Sequence, residues 1–250
     1  MGSSAQNNDG FYRYIGKEIR NLSTFTLKLI AIIIMLIDHI GAILIPEHTD
    51  IYLLFRSIGR LAFPLFCFLL VEGLHHTRSV KKYLLRLGIF ALISELPYDL
   101  AFADNIRTGF LQQQNVFFTL FIGLLVIYLM GLVERKIENN PLIVGLIQSS
   151  IVIIGCAVAI LLHTDYTFMG ILLIVAFNLF RGKKVLLAIS LFLITNYTGY
   201  YLEGLATLSI IFILFYNGKK GPKGNKYFFY VFYPAHILLL YFISLLAVFR

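Results

Sequence analysis

The chain has 250 residues, of which 59% are hydrophobic and 14% charged, and its formal net charge is +8. Soluble domains are roughly 45–50% apolar and about 25% charged, so this composition calls for lipid as solvent and leaves little chain for a domain outside the membrane. An excess of Lys and Arg is what the cytoplasmic loops of a membrane protein retain, and a nucleic-acid-binding role is excluded on that ground.

Residues 1–26 form a polar segment, expected in the cytoplasm, and 27–250 a single transmembrane domain. No apolar core of a cleavable signal peptide lies near the start, so the first membrane helix would direct insertion. A membrane span takes roughly 17–25 mostly apolar residues. Apolar runs predict helices at 27–45, 51–73, 83–103, 116–133, 141–162, 166–180, 184–199, 202–217 and 228–249, the sixth to eighth being short. The alternating pattern of a membrane β-barrel is absent. The expected fold is an all-α polytopic integral membrane protein of about nine spans.

The loops fix an orientation. The N-terminal segment carries Arg13, Lys17, Arg20 and Lys28; the first loop carries Glu47 and Asp50. Arg78, Lys81 and Lys82 follow in the second, Asp104 and Arg107 in the third, Arg135 and Lys136 in the fourth, and Asp165 in the fifth. The sixth holds Arg181, Lys183 and Lys184, the seventh Glu203, and the eighth Lys219, Lys220, Lys223 and Lys226. Basic and non-basic loops alternate throughout, which places the N-terminus in the cytoplasm and the C-terminus outside. Cys67 and Cys156 both fall in apolar runs, without the spacing of metal ligands or of a disulfide framework.

Ionisable groups within spans cost free energy and usually face a cavity or a partner. The first helix holds Asp38 and His39, the second Arg56, Arg60 and Glu72, the third Arg86, Glu95 and Asp99, and the ninth His236. With alternating helix directions, Asp38, His39, Arg56, Arg60, Glu95 and Asp99 share one depth towards the outside. Glu72, Arg86 and His236 would lie nearer the cytoplasm, with Glu72 a candidate partner for Arg86. Mutual neutralisation accounts for carboxylates and arginines in such a set, and less well for a histidine. Lys28 and His39 are eleven positions apart. Eleven steps of 100° return to within about 20° of the same helix face and rise roughly 16 Å. A cation at the cytoplasmic border and an imidazole in the membrane interior therefore share a face, as a long ligand with an anionic head would require. A snorkelling lysine above an unrelated histidine would give the same spacing.

Several segments resemble known families. Lys28 and His39, with ten residues between them, and the run Arg60-Leu61-Ala62-Phe63-Pro64-Leu65-Phe66 resemble motifs of acyltransferase family 3. The pieces IDHIGAIL, IGRLAFPLFCFLLVEG, TRSVKKYLLRL, ISELPYDLAF, QNVFFTLFIG and FYVFYPAHILLLY are similar to the TraX family of membrane acetyltransferases. Residues 134–226 carry no such motif.

The resemblance implies transfer of an acyl group, acetyl in the first instance, from cytoplasmic acyl-CoA. The acceptor would be an amine or hydroxyl at or beyond the bacterial cytoplasmic membrane, on a pilin-like peptide N-terminus, a cell-surface glycan or a lipid. His39 would be the general base, since a histidine near neutral pKa suits removal of the acceptor's proton. Asp38 adjoins it but points 100° away, so Glu95 or Asp99 is at least as suited to orienting the imidazole. Arg56 or Arg60 would stabilise the oxyanion. The expected donor-binding residues are Lys28, Arg56, Arg86 and His236, with the cytoplasmic lysines available to the CoA phosphates. No metal site and no nucleophilic Ser or Cys constellation is evident; His75 and His76 sit in a basic loop. The rival readings are a secondary transporter using the same buried polar residues, and a non-catalytic component of a conjugation or secretion complex.

Overall fold

A computed structural model describes residues 21–102, 113–137, 140–197 and 199–248. The expected loop residues Arg13, Lys17, Arg20, Asp104 and Arg107 lie outside the described residues. The helices are α1 (Thr24–Leu44), α2 (Asp50–Gly59), α3 (Ala62–His76), α4 (Val80–Phe102), α5 (Val116–Lys136), α6 (Pro141–Leu161), α7 (Thr167–Leu179), α8 (Lys184–Thr195), α9 (Tyr201–Gly204), α10 (Ile210–Leu214) and α11 (Lys226–Val248). A 3-10 turn, Leu205–Ser209, joins α9 to α10. Among the described residues, β structure is limited to two isolated bridges, Leu22 with Tyr216 and Gln114 with Thr164.

Among the described residues, five segments are long and apolar enough to cross a membrane: Thr24–Leu44, Asp50–His76, Val116–Lys136, Pro141–Leu161 and Tyr227–Leu246. The protein is a polytopic helical membrane protein. α4 has the length, at 23 residues, but carries Lys81, Lys82, Arg86, Glu95 and Asp99. α7 and α8 have 13 and 12 residues. At 1.5 Å per residue each is shorter than a hydrocarbon core of about 30 Å.

The expected single helix 51–73 is two, α2 and α3, meeting at Arg60 and Leu61. Pro64, third in α3, has no amide proton for the carbonyl of Arg60, so the ladder is interrupted there. The expected helix 202–217 is likewise composite.

The core is built from α1, α3, α4, α5, α7 and α11. Leu27, Leu65, Leu124, Ile171, Ile174 and Ile237 are completely buried in it. α6 behaves differently: Leu142, Leu146, Ile153 and Ile154 are all exposed, as a lipid-facing helix requires. α1 and α2 pack closely because residue 59 is glycine. A Cβ there would lie 2.0 Å from Asp38 Oδ1.

Caps hold the helix starts. Ser23 Oγ accepts from Thr26 N, and Thr49 Oγ1 from Tyr52 N. Completely buried Asn115 caps α5 by accepting from Phe117 N, while its amide donates to Ala91 O (2.8 Å) and Glu95 Oε2 (2.5 Å). A single residue thereby satisfies a helix start and ties α4 to α5.

Candidate functional site

Contacts sort the polar residues into two ends of the bundle. At one end the segment before α1 pairs with the chain after α10: Leu22 N donates to Phe215 O (3.1 Å) and Thr24 N to Lys219 O (2.8 Å). A cavity of about 530 Å³ opens there, within the range of small-molecule sites. Lys28, Arg86, Lys220 and Lys223 contribute to its walls near this end; Met35, Phe117 and Tyr233 line it deeper down.

None of these four cations has a carboxylate partner among the described residues. The Lys28 ammonium lies 5.2 Å from the centre of the Phe229 ring, and the Arg86 guanidinium 5.6 Å from that of Tyr83. Arg86 Nε is buried without a hydrogen-bond partner among the described residues. Glu72, a carboxylate of the same cavity, is already occupied. Arg181 donates to it twice (Nε to Oε1 2.6 Å, Nη2 to Oε2 3.3 Å), and Tyr216 once (3.2 Å). The expected pairing of Glu72 with Arg86 is therefore corrected to Glu72 with Arg181. Arg181 lies in the loop after α7, and this ion pair raises its already high pKa.

Two histidines meet near the cavity floor. His39 is one helical turn beyond Met35 on α1, and its Nδ1 lies 2.6 Å from Nε2 of His236 on α11. Tyr233, which lines the cavity, stands edge-on to both imidazoles at 5.9 Å between ring centres. His236 Nδ1 is 2.6 Å from the carbonyl of Phe232. A carbonyl only accepts, so Nδ1 of His236 carries the proton. In a neutral His236 the Nε2 is then bare and accepts from His39 Nδ1–H. His39 is left with a lone pair on Nε2, which has no hydrogen-bond partner among the described residues. Sequence reasoning placed His236 nearer the cytoplasm with the donor; the structure places it against His39. It also assigned the orienting of His39 to Glu95 or Asp99, and neither hydrogen-bonds it among the described residues. The pairing of positions 39 and 236 leaves no periodic trace in sequence, because the two lie on helices far apart in the chain.

The opposite end is closed by ion pairs. Arg56 Nη1 is 2.7 Å from Asp38 Oδ2. Arg60 Nη1 is 2.8 Å from Glu203 Oε1, with Nη2 3.9 Å from Asp38 Oδ1. Arg56, an expected donor residue, is thus held by Asp38 and does not line the cavity. Arg60 Nε remains buried without a partner among the described residues. Glu95 faces Asn115, and Asp99 is buried; Glu95 Oε1 and Asp99 Oδ1 have no partner among the described residues. In the loop before α7, Asp165 accepts from Thr119 through its backbone carbonyl. Burial pushes its carboxyl up to about 7, against the pull of Arg60. Among the described residues, no group of three or more His, Cys, Asp or Glu is placed to hold a metal ion.

The family model described as TraX protein matches residues 23–244. A protein of Dichelobacter nodosus named as probable fimbrial assembly protein FimC, serogroup H1, is 43% identical over 110 residues, covering 42% of this chain and 45% of the relative. An uncharacterized protein of Rickettsia prowazekii (strain Madrid E) is 33% identical over 102 residues, 41% of this chain and 35% of the relative. These matches span less than half the length of each curated relative. No solved structure matches the chain.

Proposed function

The chain belongs to the TraX family, and from that premise we propose that it is a multi-pass membrane acyltransferase. It moves an acyl group, acetyl in the first instance, from acyl-CoA to an amine or hydroxyl acceptor. The observation that carries this reading is the cavity: its walls bear cations without a carboxylate partner among the described residues, and its floor lies one helical turn from an imidazole with one nitrogen unbonded among them. Lys28 and Arg86 would hold the anionic part of the donor, and the apolar floor would receive its thioester arm.

His39 Nε2 takes the acceptor's proton as the acceptor attacks the thioester carbonyl. The C–N or C–O bond forms, the tetrahedral oxyanion collapses, the C–S bond breaks, and the CoA sulfur takes the proton back from His39. His236 keeps the proton of His39 on Nδ1, and its own bond to the Phe232 carbonyl disperses charge as His39 becomes cationic. Arg60 is braced through its Nη groups by Glu203 and Asp38, and its Nε, without a partner among the described residues, would be the part of it that donates to the oxyanion. Asp38 then serves Arg56 and Arg60 instead of the imidazole. Glu95 and Asp99, with unpartnered oxygens, favour an acceptor that carries an ammonium group. The fimbrial relative's name favours a pilin-like peptide N-terminus over a surface glycan or lipid.

The loop charges support nine crossings of the bacterial cytoplasmic membrane, N-terminus inside, with the short helix α7 sheltered within the bundle. A reporter after Arg250 should then be active outside and one inserted within 218–225 only inside; the same side for both would refute the count. Acetyl transfer to an amine peptide by purified protein tests the activity. Uptake of a solute into liposomes with no turnover of acetyl-CoA would replace it with a transporter.

A further inference from the structure

The loop 217–224 joins α10 to α11 in a region where the sequence carries no motif, yet it forms one wall of the cavity mouth. It is strapped to the start of α1. Asn217 N donates to Leu22 O (3.0 Å), Thr24 N to Lys219 O (2.8 Å) and Phe25 N to Lys220 O (3.1 Å). The Thr24 hydroxyl adds a bond to Lys219 O (3.1 Å). The strap fits only because residue 221 is glycine: its φ is +75°, and a Cβ there would lie 2.3 Å from Ser23 Oγ.

These bonds consume the loop's carbonyls at Lys219 and Lys220. The amides of Lys220, Gly221, Lys223 and Gly224 make no hydrogen bond among the described residues. Consecutive backbone amides without internal partners beside a positive-φ glycine can form a concavity suited to anions. Lys220 and Lys223 stand in the same loop, and Lys28 and Arg86 line the cavity beside it. Glu72, the carboxylate in the cavity wall, is held by Arg181. Amide donors and cations without an acid to neutralise them describe a site for a polyanionic phosphate group.

We propose that the loop 217–224 is a phosphate cradle that binds the nucleotide end of the acyl donor, so that the protein selects CoA thioesters over pantetheine thioesters lacking the nucleotide. The proposal rests on the acyl-transfer reading for its ligand. An anionic phospholipid headgroup carries the same chemistry, and the test separates the two.

Binding of adenosine 3′,5′-bisphosphate, which is the nucleotide end alone, is measured on the full chain in detergent. The wild type should bind it, and Lys220→Gln/Lys223→Gln should weaken binding on the order of ten- to a hundredfold, as loss of charge-assisted contacts does. Gly221→Ala should weaken it with both lysines in place, which separates loop shape from net charge. In turnover, the preference of the lysine variant for acetyl-CoA over acetyl-pantetheine should collapse by a similar factor. Equal losses on both thioesters, or unchanged nucleotide affinity in a variant that melts like wild type, would overturn the cradle. So would displacement of the bisphosphate by phosphatidylglycerol in mixed micelles with no dependence on the lysines. Lysine-dependent bisphosphate binding without acyl transfer would leave the cradle standing and remove the transferase instead.

Discussion

The two ends of the bundle both hold arginines and carboxylates but use them differently. At the end away from the cavity mouth, Arg56 and Arg60 are both matched, to Asp38 and Glu203. At the mouth, Glu72, the carboxylate that lines the cavity among the described residues, is taken by Arg181, and Lys28, Arg86, Lys220 and Lys223 have no carboxylate partner among them. A paired ion offers little to a ligand, because binding would first have to break the pair, whereas an unpaired cation in a largely apolar cavity is incompletely compensated and gains from an anion. Ionisable residues in spans are therefore not equivalent signals of function: the set on α2 reads as bracing, the set around α1 and α4 as a receptor. His39 sits between the two sets.

The largest expected effect falls on His39. His39→Gln should slow acyl transfer by about a hundred- to ten-thousandfold, as removal of a general base does, in protein that still inserts and melts normally. Single-turnover acetylation beside a melting curve in the same detergent measures both. Its partner sharpens the point. His236→Leu should lower kcat with little change in KM, because His39 loses the acceptor that holds its Nδ1 proton, and His236→Gln, which can still accept through Oε1, should recover part of the rate. Near-normal turnover in His39→Gln would end the mechanism.

The second test is on the bracing end. Arg56→Met leaves Asp38 facing Arg60 alone and should cost roughly 1–3 kcal/mol, between an exposed and a buried ion pair. Affinity for adenosine 3′,5′-bisphosphate should stay as it was. A loss of donor affinity at unchanged melting temperature would restore Arg56 to the donor site and erase the contrast between the ends. At the receptor end the signs reverse. Lys28→Ala or Arg86→Ala should weaken nucleotide binding by about ten- to a hundredfold, with stability nearly unchanged. Isothermal titration of each variant reads this directly.

What the sequence made legible was whatever repeats along one helix. The Lys28 and His39 face follows from 3.6 residues per turn, and each predicted apolar segment contains helix among the described residues. Pairings between helices had no such period. Glu72 has Arg86 in the next helix but bonds to Arg181, over a hundred positions away, because the α3 and α7 ends adjoin while Arg86 turns towards Tyr83. His236 was placed neither at the depth of His39 nor against it, although the two are hydrogen-bonded. Hydropathy marked α7 and α8 as apolar without fixing their length: α7 ends at Leu179, just before Arg181 and Gly182, and α8 at Thr195. The phosphate cradle was invisible for another reason, since a strap of backbone bonds leaves little mark on side-chain pattern beyond its glycines.

The smallest expected effect concerns the acid surplus at the bracing end. Asp38, Glu203 and Asp165 act there with only Arg56 and Arg60 as counter-charges. Asp38 and Glu203 take the arginine contacts, and Asp165 is left half-buried with its carboxyl pushed up to about 7 by desolvation. An acid whose folded-state pKa exceeds its unfolded value, about 4, binds its proton more tightly when folded. Its contribution to stability is fully present below pH 4, declines as pH rises towards 7, and is gone above that. The wild type should therefore melt at a lower temperature at pH 8 than at pH 5, and Asp165→Asn, neutral throughout, should lose that part of the decline. Other groups titrate in this window, so the informative quantity is the difference between the two proteins at each pH. If Asp165→Asn instead lost stability at pH 8 relative to wild type, Asp165 would be an ion-pair partner of Arg60. The bracing end would then be short of acid, and the two ends would differ less than their contacts indicate.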